Sequence, residues 1–558
     1  MRSASTTGPG ARAWGLGLLL GLGLAGGVRA QAGAPPSPPV ASAQPAAPVA
    51  GLALVDVARY AVDGNTLIGA ERLSALLEPY AGRVTLSRLR EAAAAVQELY
   101  RQEGWGGVVA FLPEQTLEGG VVRIRVVEGR LVRIDVTGQS AFSVENVRAS
   151  LPALQEGTTP QVRRVDAQIQ MANENPAKAV QVLLQPGVQP GELVAKVEVQ
   201  ELPVLRATAR LDNSGGRSTG RWRAAIGAQH ANLFGLDHVG AVELQTAPEN
   251  IDAVAVLSGS WRVPFYARAM ALDVYGAASN VDAGTVGTAA GDLSFSGRGG
   301  VFGTRLGVYL PRRGNIDQRL FAGIELREYD NECSVAGLPD GACGSAGASV
   351  SVQPASLVYT AQAAGEWRWG FSVGLHGNLA FGGSHGSETD FEAVRAGAPR
   401  RYALVRGSSH LSVPVEGWGH VGARFSFQLS DRPLVPGELF GIGGAGSVRG
   451  FEERELAGDS GASLSLEAVS ANLAESVAWL DGGDLRALLF ADAGTVSNSD
   501  DAACQAGRSS CRMGGLGLGL RGSFGAWQLR LDVARAFTFG ATTEKGDVRA
   551  HAALLYNF

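Results

Sequence analysis

Lysine is almost missing from this 558-residue chain. Lys178, Lys196 and Lys545 are its three examples, so 45 of the 48 basic residues (48 less 3) are arginine. The scarcity is read as genome composition. With 53 acidic side chains and a net charge of −5, no basic run offers a surface for nucleic acid. None of the three lysines stands in a G-K-[ST] sequence, which excludes a phosphate-binding loop of that type. The seven histidines form no cluster with metal-ligand spacing. Beyond Ala30 there is also no apolar run approaching the ~20 residues that a helix needs to cross a bilayer.

What is present begins with a targeting segment. Arg2 and Arg12 precede the apolar run WGLGLLLGLGLAGG, and Val28-Arg29-Ala30 supplies small residues at the cleavage-determining positions. That layout predicts a secretory signal peptide over residues 1–30 and export from the cytoplasm. Residues 31–52 open with a proline- and alanine-rich, uncharged stretch that reads as an extended leader.

Residues 53–129 and 130–202 read as two small α+β modules with one order of elements: strand, helix, helix, strand, strand. In the first, Leu86, Leu89, Ala93, Val96 and Tyr100 recur at three- and four-residue spacing, which predicts an amphipathic helix with one buried stripe. The strand pair VVAFLPEQTL and GVVRIRVVEG follows. In the second, LVRIDVTG, SVENVRASLPAL, TPQVRRVDAQIQMAN, VQVLLQPG and GELVAKVEVQEL repeat the pattern.

From residue 203 to 558 the period changes to two. Phe425, Phe427 and Leu429 alternate with Arg424, Ser426 and Gln428. Leu464, Leu466 and Ala468 alternate with Ser463, Ser465 and Glu467. Trp527, Leu529, Leu531 and Val533 alternate with Gln528, Arg530 and Asp532. Such strands need an apolar phase on one side and water on the other. Many of them, separated by glycine-rich turns, predict an antiparallel transmembrane β-barrel of about 16 strands in outer-membrane lipid. The last residues place Ala552, Leu554, Tyr556 and terminal Phe558 on one face, an aromatic C-terminal barrel signature.

The cysteines fit this topology. With the modules in the periplasm the first strand runs outward, so Cys333 and Cys343 fall in the outer loop between strands 7 and 8. Cys504 and Cys511 fall in the loop between strands 13 and 14. An oxidising location then predicts two local disulfides.

One stretch invites a different conclusion. In GIGGAGSVRGFEERELAG, Gly441, Gly443 and Gly446 spell the G-x-G-x-x-G of dinucleotide-binding proteins, and Glu467 follows about where a ribose-binding acid would stand. That fingerprint must follow a strand directly and open a helix. Here Pro433 and Pro436 interrupt the approach, and only FEEREL has room to be helical before the next strand. Gly382-x-Ser384-x-Gly386 imitates a hydrolase elbow but lies in an outer loop. Neither a cofactor nor a catalytic site is predicted.

Taken together, the motifs resemble the outer-membrane transporters of two-partner secretion, the haemolysin secretion/activation family. YRQEGW, LPEQTLEGG and VRIRVVEGRL, then ENPAKAVQVLLQPG and GELVAKVEV, are similar to polypeptide-transport-associated (POTRA) domains. ARLDNSGGRSTG and NLFGLD resemble the barrel opening, and PGELFGIGGAGSVRGF resembles the family's lid-loop motif, carried by Gly443, Gly444, Ser447, Val448, Arg449, Gly450 and Phe451. LLFADAG supplies F-x-D-x-G at Phe490, Asp492 and Gly494. Phe451 departs from the usual Tyr, and Leu236 stands where Gly is frequent.

The resemblance implies a non-enzymatic translocator. It would bind the N-terminal region of a large secreted partner through its POTRA domains and pass that partner through the barrel. The barrel-assembly machinery would insert it. A barrel-assembly factor is the related alternative, and a diffusion porin would leave the modules unexplained. The lid, residues 431–459, is expected inside the lumen, with Arg449 paired to Asp492. In a wet lumen such a pair contributes ~0–1 kcal/mol.

Overall fold

The computed structural model describes residues 54–558, apart from 217–218, 252–253, 281–283, 289–290, 296–297, 331–347, 477–481, 501 and 506. The expected signal peptide and leader, and the expected Cys333–Cys343 bridge, lie outside the described residues.

The first module holds strands β1 (Leu54–Val57) and β2 (Arg59–Asp63), helix α1 (Ala70–Leu77), β3 (Gly82–Thr85), α2 (Leu86–Gln102), β4 (Val108–Phe111) and β5 (Val121–Glu128). Its main sheet has the order β2-β5-β4, with β2 parallel to β5 and β4 antiparallel, while β1 and β3 form a small second sheet. Helix α2 starts at Thr85, whose side chain accepts from the Arg88 amide. The helix buries Leu89, Ala92, Ala93, Val96 and Tyr100. That is the stripe expected from its spacing with two differences: Ala92 joins it, and Leu86, the first residue of the helix, is exposed.

The second module repeats the plan with β6 (Arg130–Thr137), α3 (Val144–Ser150), α4 (Val162–Ala172), β7 (Lys178–Pro186) and β8 (Glu192–Glu201), in sheet order β6-β8-β7. The likeness extends to one side chain. Each module ends its last strand in a glutamate that gathers amide hydrogens from the loop after the first strand of the main sheet, β2 or β6. Glu128 accepts from Thr66 and Leu67 at 2.7 and 2.9 Å, and Glu201 from Ser140, Ala141 and Phe142 at 2.9, 2.7 and 3.1 Å. Burial opposes the charge of both carboxylates, but these hydrogen bonds outweigh it and hold both below the ordinary glutamate range.

Sixteen antiparallel strands then close into a barrel. They are β9 (Leu205–Asp212), β10 (Arg223–Leu233), β11 (His238–Thr246), β12 (Ala255–Phe265), β13 (Met270–Ser279), β14 (Arg298–Arg313), β15 (Ile316–Asp330), β16 (Pro354–Ala363), β17 (Arg368–Asn378), β18 (Ala403–Val415), β19 (Gly419–Ser430), β20 (Ser460–Ser470), β21 (Asp484–Ser497), β22 (Ser510–Phe524), β23 (Trp527–Ala536) and β24 (Val548–Asn557). Closure is made by β24 against β9, from Ala553 opposite Asp212 to Asn557 opposite Thr208. The period-two reading places side chains correctly. Phe425, Leu429, Leu464, Leu466, Trp527, Leu529 and Val533 are exposed on the outer face, whereas Gln428, Ser465 and Asp532 are buried on the inner one. Trp367, Trp418, Trp527 and Phe558 are exposed at the module end of the barrel, as in an interfacial aromatic girdle. At the opposite end, helix α5 (Glu388–Val394) lies between β17 and β18 and is closed at its N-terminus by a Ser387–Asp390 capping box.

Candidate functional site

The lid leaves β19 after Ser430 and rejoins the wall at β20. A three-residue ladder, Phe440–Ile442 against Leu456–Gly458, narrows it into a hairpin. Residues 451–455 form turns rather than the helix that FEEREL had room for. Gly443 and Gly444 have φ of +113° and +90°, a region open to glycine, so the chain can reverse at the hairpin tip. The Ser447 hydroxyl closes that turn, accepting from the Gly443 amide and donating to its carbonyl, both at 2.9 Å. Val448 and Phe451 are fully buried against Ile442, Leu456, Val496 and Met513. A tyrosine hydroxyl at position 451 would need a polar partner in this apolar packing, which accounts for phenylalanine there.

Arg449 is the largest fully buried side chain among the described residues. Its Nε donates to Asp492 Oδ2 at 2.7 Å and its Nη2 to Oδ1 at 2.8 Å, a two-point contact. The Arg449 amide also donates to Asp492, at 3.0 Å, so backbone and side chain bind one carboxylate. Nη2 donates to Ser465 at 3.0 Å as well. Glu467 Oε1 lies 2.7 Å from Nη1, close enough for ion pairing but out of line for a hydrogen bond. The guanidinium stacks on the Phe490 ring, 3.4 Å from its centroid. Gly494 leaves room for this approach, because a Cβ there would crowd Val448 at 3.0 Å and Ile442 at 3.1 Å. The site is dry at its centre: both side chains of the pair are 0% exposed. The small energy expected of a wet pair therefore does not apply, and a desolvated pair follows different energetics.

The sequence motifs name one wall strand, β21, where the structure uses four. Ser465 and Glu467 come from β20. Asp532 comes from β23, 3.7 Å from Arg449 and held by Arg521 and Arg530 at 2.8 and 2.9 Å. His551 comes from β24 and accepts from the Gly450 amide at 3.1 Å. Ser465, Glu467 and Asp532 were visible in the sequence as polar positions alternating with apolar ones, a signal that gave their side of the sheet but not their partner. Glu467, the imitation ribose acid, thus serves the lid arginine. Cys504 and Cys511 form a disulfide across the β21–β22 loop, with Cα atoms 6.2 Å apart.

At the other end, module two is seated on the barrel. Lys178 pairs with Asp237 of the β10–β11 turn, their side chains 0% and 1% exposed. Burial pulls the Lys178 ammonium below its ordinary pKa, and the Asp237 charge partly offsets this. Tyr266 also donates to Asp237, at 2.8 Å, and Asn146 donates to the Gly235 carbonyl at 2.6 Å. Glu174 pairs with Arg319 at 2.6 Å and also with Arg262, both on barrel strands. Met171 of α4 packs on Ala271 and Tyr309 of the barrel.

Module one keeps its corresponding face open. A groove of about 960 Å³ runs between α2 and β4, floored by Ala93, Val108, Ala110, Leu112 and Trp105. The outer edge of β4 pairs with no other strand among the described residues. Its Ala110 amide donates to the Gln97 side chain at 3.2 Å instead.

Comparison with known proteins agrees with this architecture. The family model for the haemolysin secretion/activation protein ShlB/FhaC/HecB matches residues 191–522, and that for the ShlB-type POTRA domain matches 55–129. The chain is 31% identical over 173 residues to the outer membrane transporter CdiB of Dickeya dadantii (strain 3937), covering 31% of this chain and 30% of that protein. It is 27% identical over 173 residues to the heme/hemopexin transporter protein HuxB of Haemophilus influenzae, covering 31% of each. These alignments thus span under a third of either relative. The solved structure of CdiB from Escherichia coli shares the fold, with a TM-score of 0.73, 19% identity and 93% of each chain covered. That of CdiB from Acinetobacter baumannii gives 0.68 and 16% over 90% of each.

Proposed function

The chain belongs to the haemolysin secretion/activation family, and from that premise we propose that it exports a secreted partner protein across the outer membrane. The barrel sits in that membrane with both modules in the periplasm. The observation that carries this reading is the pairing, in one chain, of an open apolar sheet edge with a barrel whose lumen holds a fastened loop. A porin has no use for the first feature.

The β4 edge suits an extended, unfolded segment. Its outward amide at Ala110 is already occupied by a carboxamide oxygen, the role that the carbonyl of an added strand would take. Val108 and Ala110 are buried while Val109 and Phe111 are half-exposed, so alternate side chains of that segment would meet the groove floor. The captured chain then passes the lid in extended form. The sequence carries no nucleotide-binding motif, and folding of the partner outside is the simplest drive.

The test is secretion of a co-expressed candidate partner protein, measured with Ala110→Pro and Val109→Asp at matched outer-membrane levels. Proline removes the outward amide. Both variants should insert normally and lose secretion and partner binding. Unimpaired secretion by both would remove the groove from the mechanism.

A further inference from the structure

The lid has a second buried charge, with the sign reversed. Glu438 lies on the arm that leads from β19 to the hairpin and is 1% exposed. Its Oε1 accepts from Arg327 Nη1 at 2.6 Å and from the Tyr329 hydroxyl at 3.3 Å, and its Oε2 from Arg406 at 3.3 Å. The Glu438 carbonyl accepts from Arg406 and from Gln428, each at 3.0 Å. Backbone and side chain are thus both bound, as they are at Arg449. Gly437 makes the approach possible, since a Cβ there would stand 2.2 Å from the Tyr329 ring.

The wall strands involved decide what this contact does. Arg327 and Tyr329 belong to the seventh barrel strand, β15, Arg406 to the tenth, β18, and Gln428 to the eleventh, β19. Arg449 is held by the twelfth, thirteenth, fifteenth and sixteenth, β20, β21, β23 and β24. Arg327 and Asp492, the main partners of the two charges, stand on the seventh and thirteenth strands, and the two sets share no strand: seventh to eleventh for Glu438, twelfth to sixteenth for Arg449. Burying a carboxylate is costly, and an apolar residue of similar size would pack at least as well. What the ion pairs add is a defined position on a separate arc of the wall.

We infer that Glu438 is a second positioning residue of the lid, tying its first arm to wall strands that the Arg449 anchor does not use. The lid is then a strut fastened at both ends rather than a flap hinged at one. Clearing the lumen requires both anchors to release. This rests on the reading of the loop as the element that closes the channel.

Single-channel recording of the purified full-length protein in planar bilayers tests it. Glu438→Gln removes the charge at almost constant shape and should raise open probability several-fold. The exchange Glu438→Lys with Arg327→Glu should return it toward the wild-type value, which a merely volumetric role would not allow. Glu438→Gln combined with Arg449→Ala should open more than either alone. Heat-modifiable migration on gels establishes that each barrel is folded. Wild-type conductance from folded Glu438→Gln, or an exchange no better than Glu438→Lys alone, would overturn the inference. If Glu438→Gln opens the channel while the wild type secretes no partner, the strut stands and the export function falls.

Discussion

Arg449→Ala tests the lid anchor in the terms its burial dictates. Truncation removes both side-chain bonds to Asp492, and the carboxylate stays 0% exposed with only the backbone amide of residue 449 beside it. The other two acids are better provided for. Glu467 retains Arg424 at 3.0 Å, and Asp532 retains Arg521 and Arg530. One stranded carboxylate of this kind costs roughly 3–5 kcal/mol, and the loss should fall at the lower end because one hydrogen bond survives. At about 1.4 kcal/mol per factor of ten, docking of the lid weakens by roughly a hundredfold. The cost should appear as local release, since the sixteen-strand ladder does not depend on this residue. Hydrogen exchange of the amides of residues 443–456 should therefore accelerate by about two orders of magnitude while the strands stay protected. Arg449→Lys should recover part of that protection, because an ammonium keeps the charge but not the planar two-point contact. Unchanged protection of 443–456 in Arg449→Ala would refute the anchor.

Two further outcomes are expected. Lys178→Met leaves Asp237 buried without its cation and should loosen the seat of module two by ~3 kcal/mol, read as faster limited proteolysis near residues 202–204; adding Asp237→Asn should restore much of the resistance. Glu128 and Glu201 both have depressed folded pKa values, so the stability they supply is complete above the unfolded value near ~4.3 and disappears as pH falls through the folded one. The modules should lose protection below about pH 4, and Glu128→Gln with Glu201→Gln should flatten that acid slope. Identical slopes would rule out the two carboxylates as its source.

Much of the fold was legible because two periods, 3.6 and 2, dominate it. The α2 stripe and the alternation around Phe425 and Trp527 report directly which side faces apolar matter. The Arg449–Asp492 contact was reachable only through motif resemblance, since 43 residues separate the two in the chain. The dryness of that contact was not legible at all. It arises from Phe490 stacked on the guanidinium and from Val448 and Ile442 packed over Gly494 on the same wall strand as Asp492, a property of packing that no spacing encodes. The Lys178–Asp237 seat was hidden for the same reason. Both residues sat in segments already quoted as family-like, ENPAKAV and NLFGLD, with nothing local to join them.

If the modules capture a partner as proposed, that seat also sets the kinetics of capture. Module two cannot swing freely, and the first module follows it through a close-packed joint in which Gly106 donates to Pro160 and Val162 to Gly104, at 2.9 and 2.7 Å. A polypeptide bound on the β4 edge, as proposed, would thereby be tethered on the module side of the pore. Its next segment meets the pore at an effective concentration on the order of millimolar, falling with about the −3/2 power of the intervening chain length. Entry then depends little on how scarce the partner is in the periplasm, and it favours segments close in sequence to the bound one. A capture signal far along the partner chain would forfeit most of that advantage, whereas one near the end that enters first keeps it.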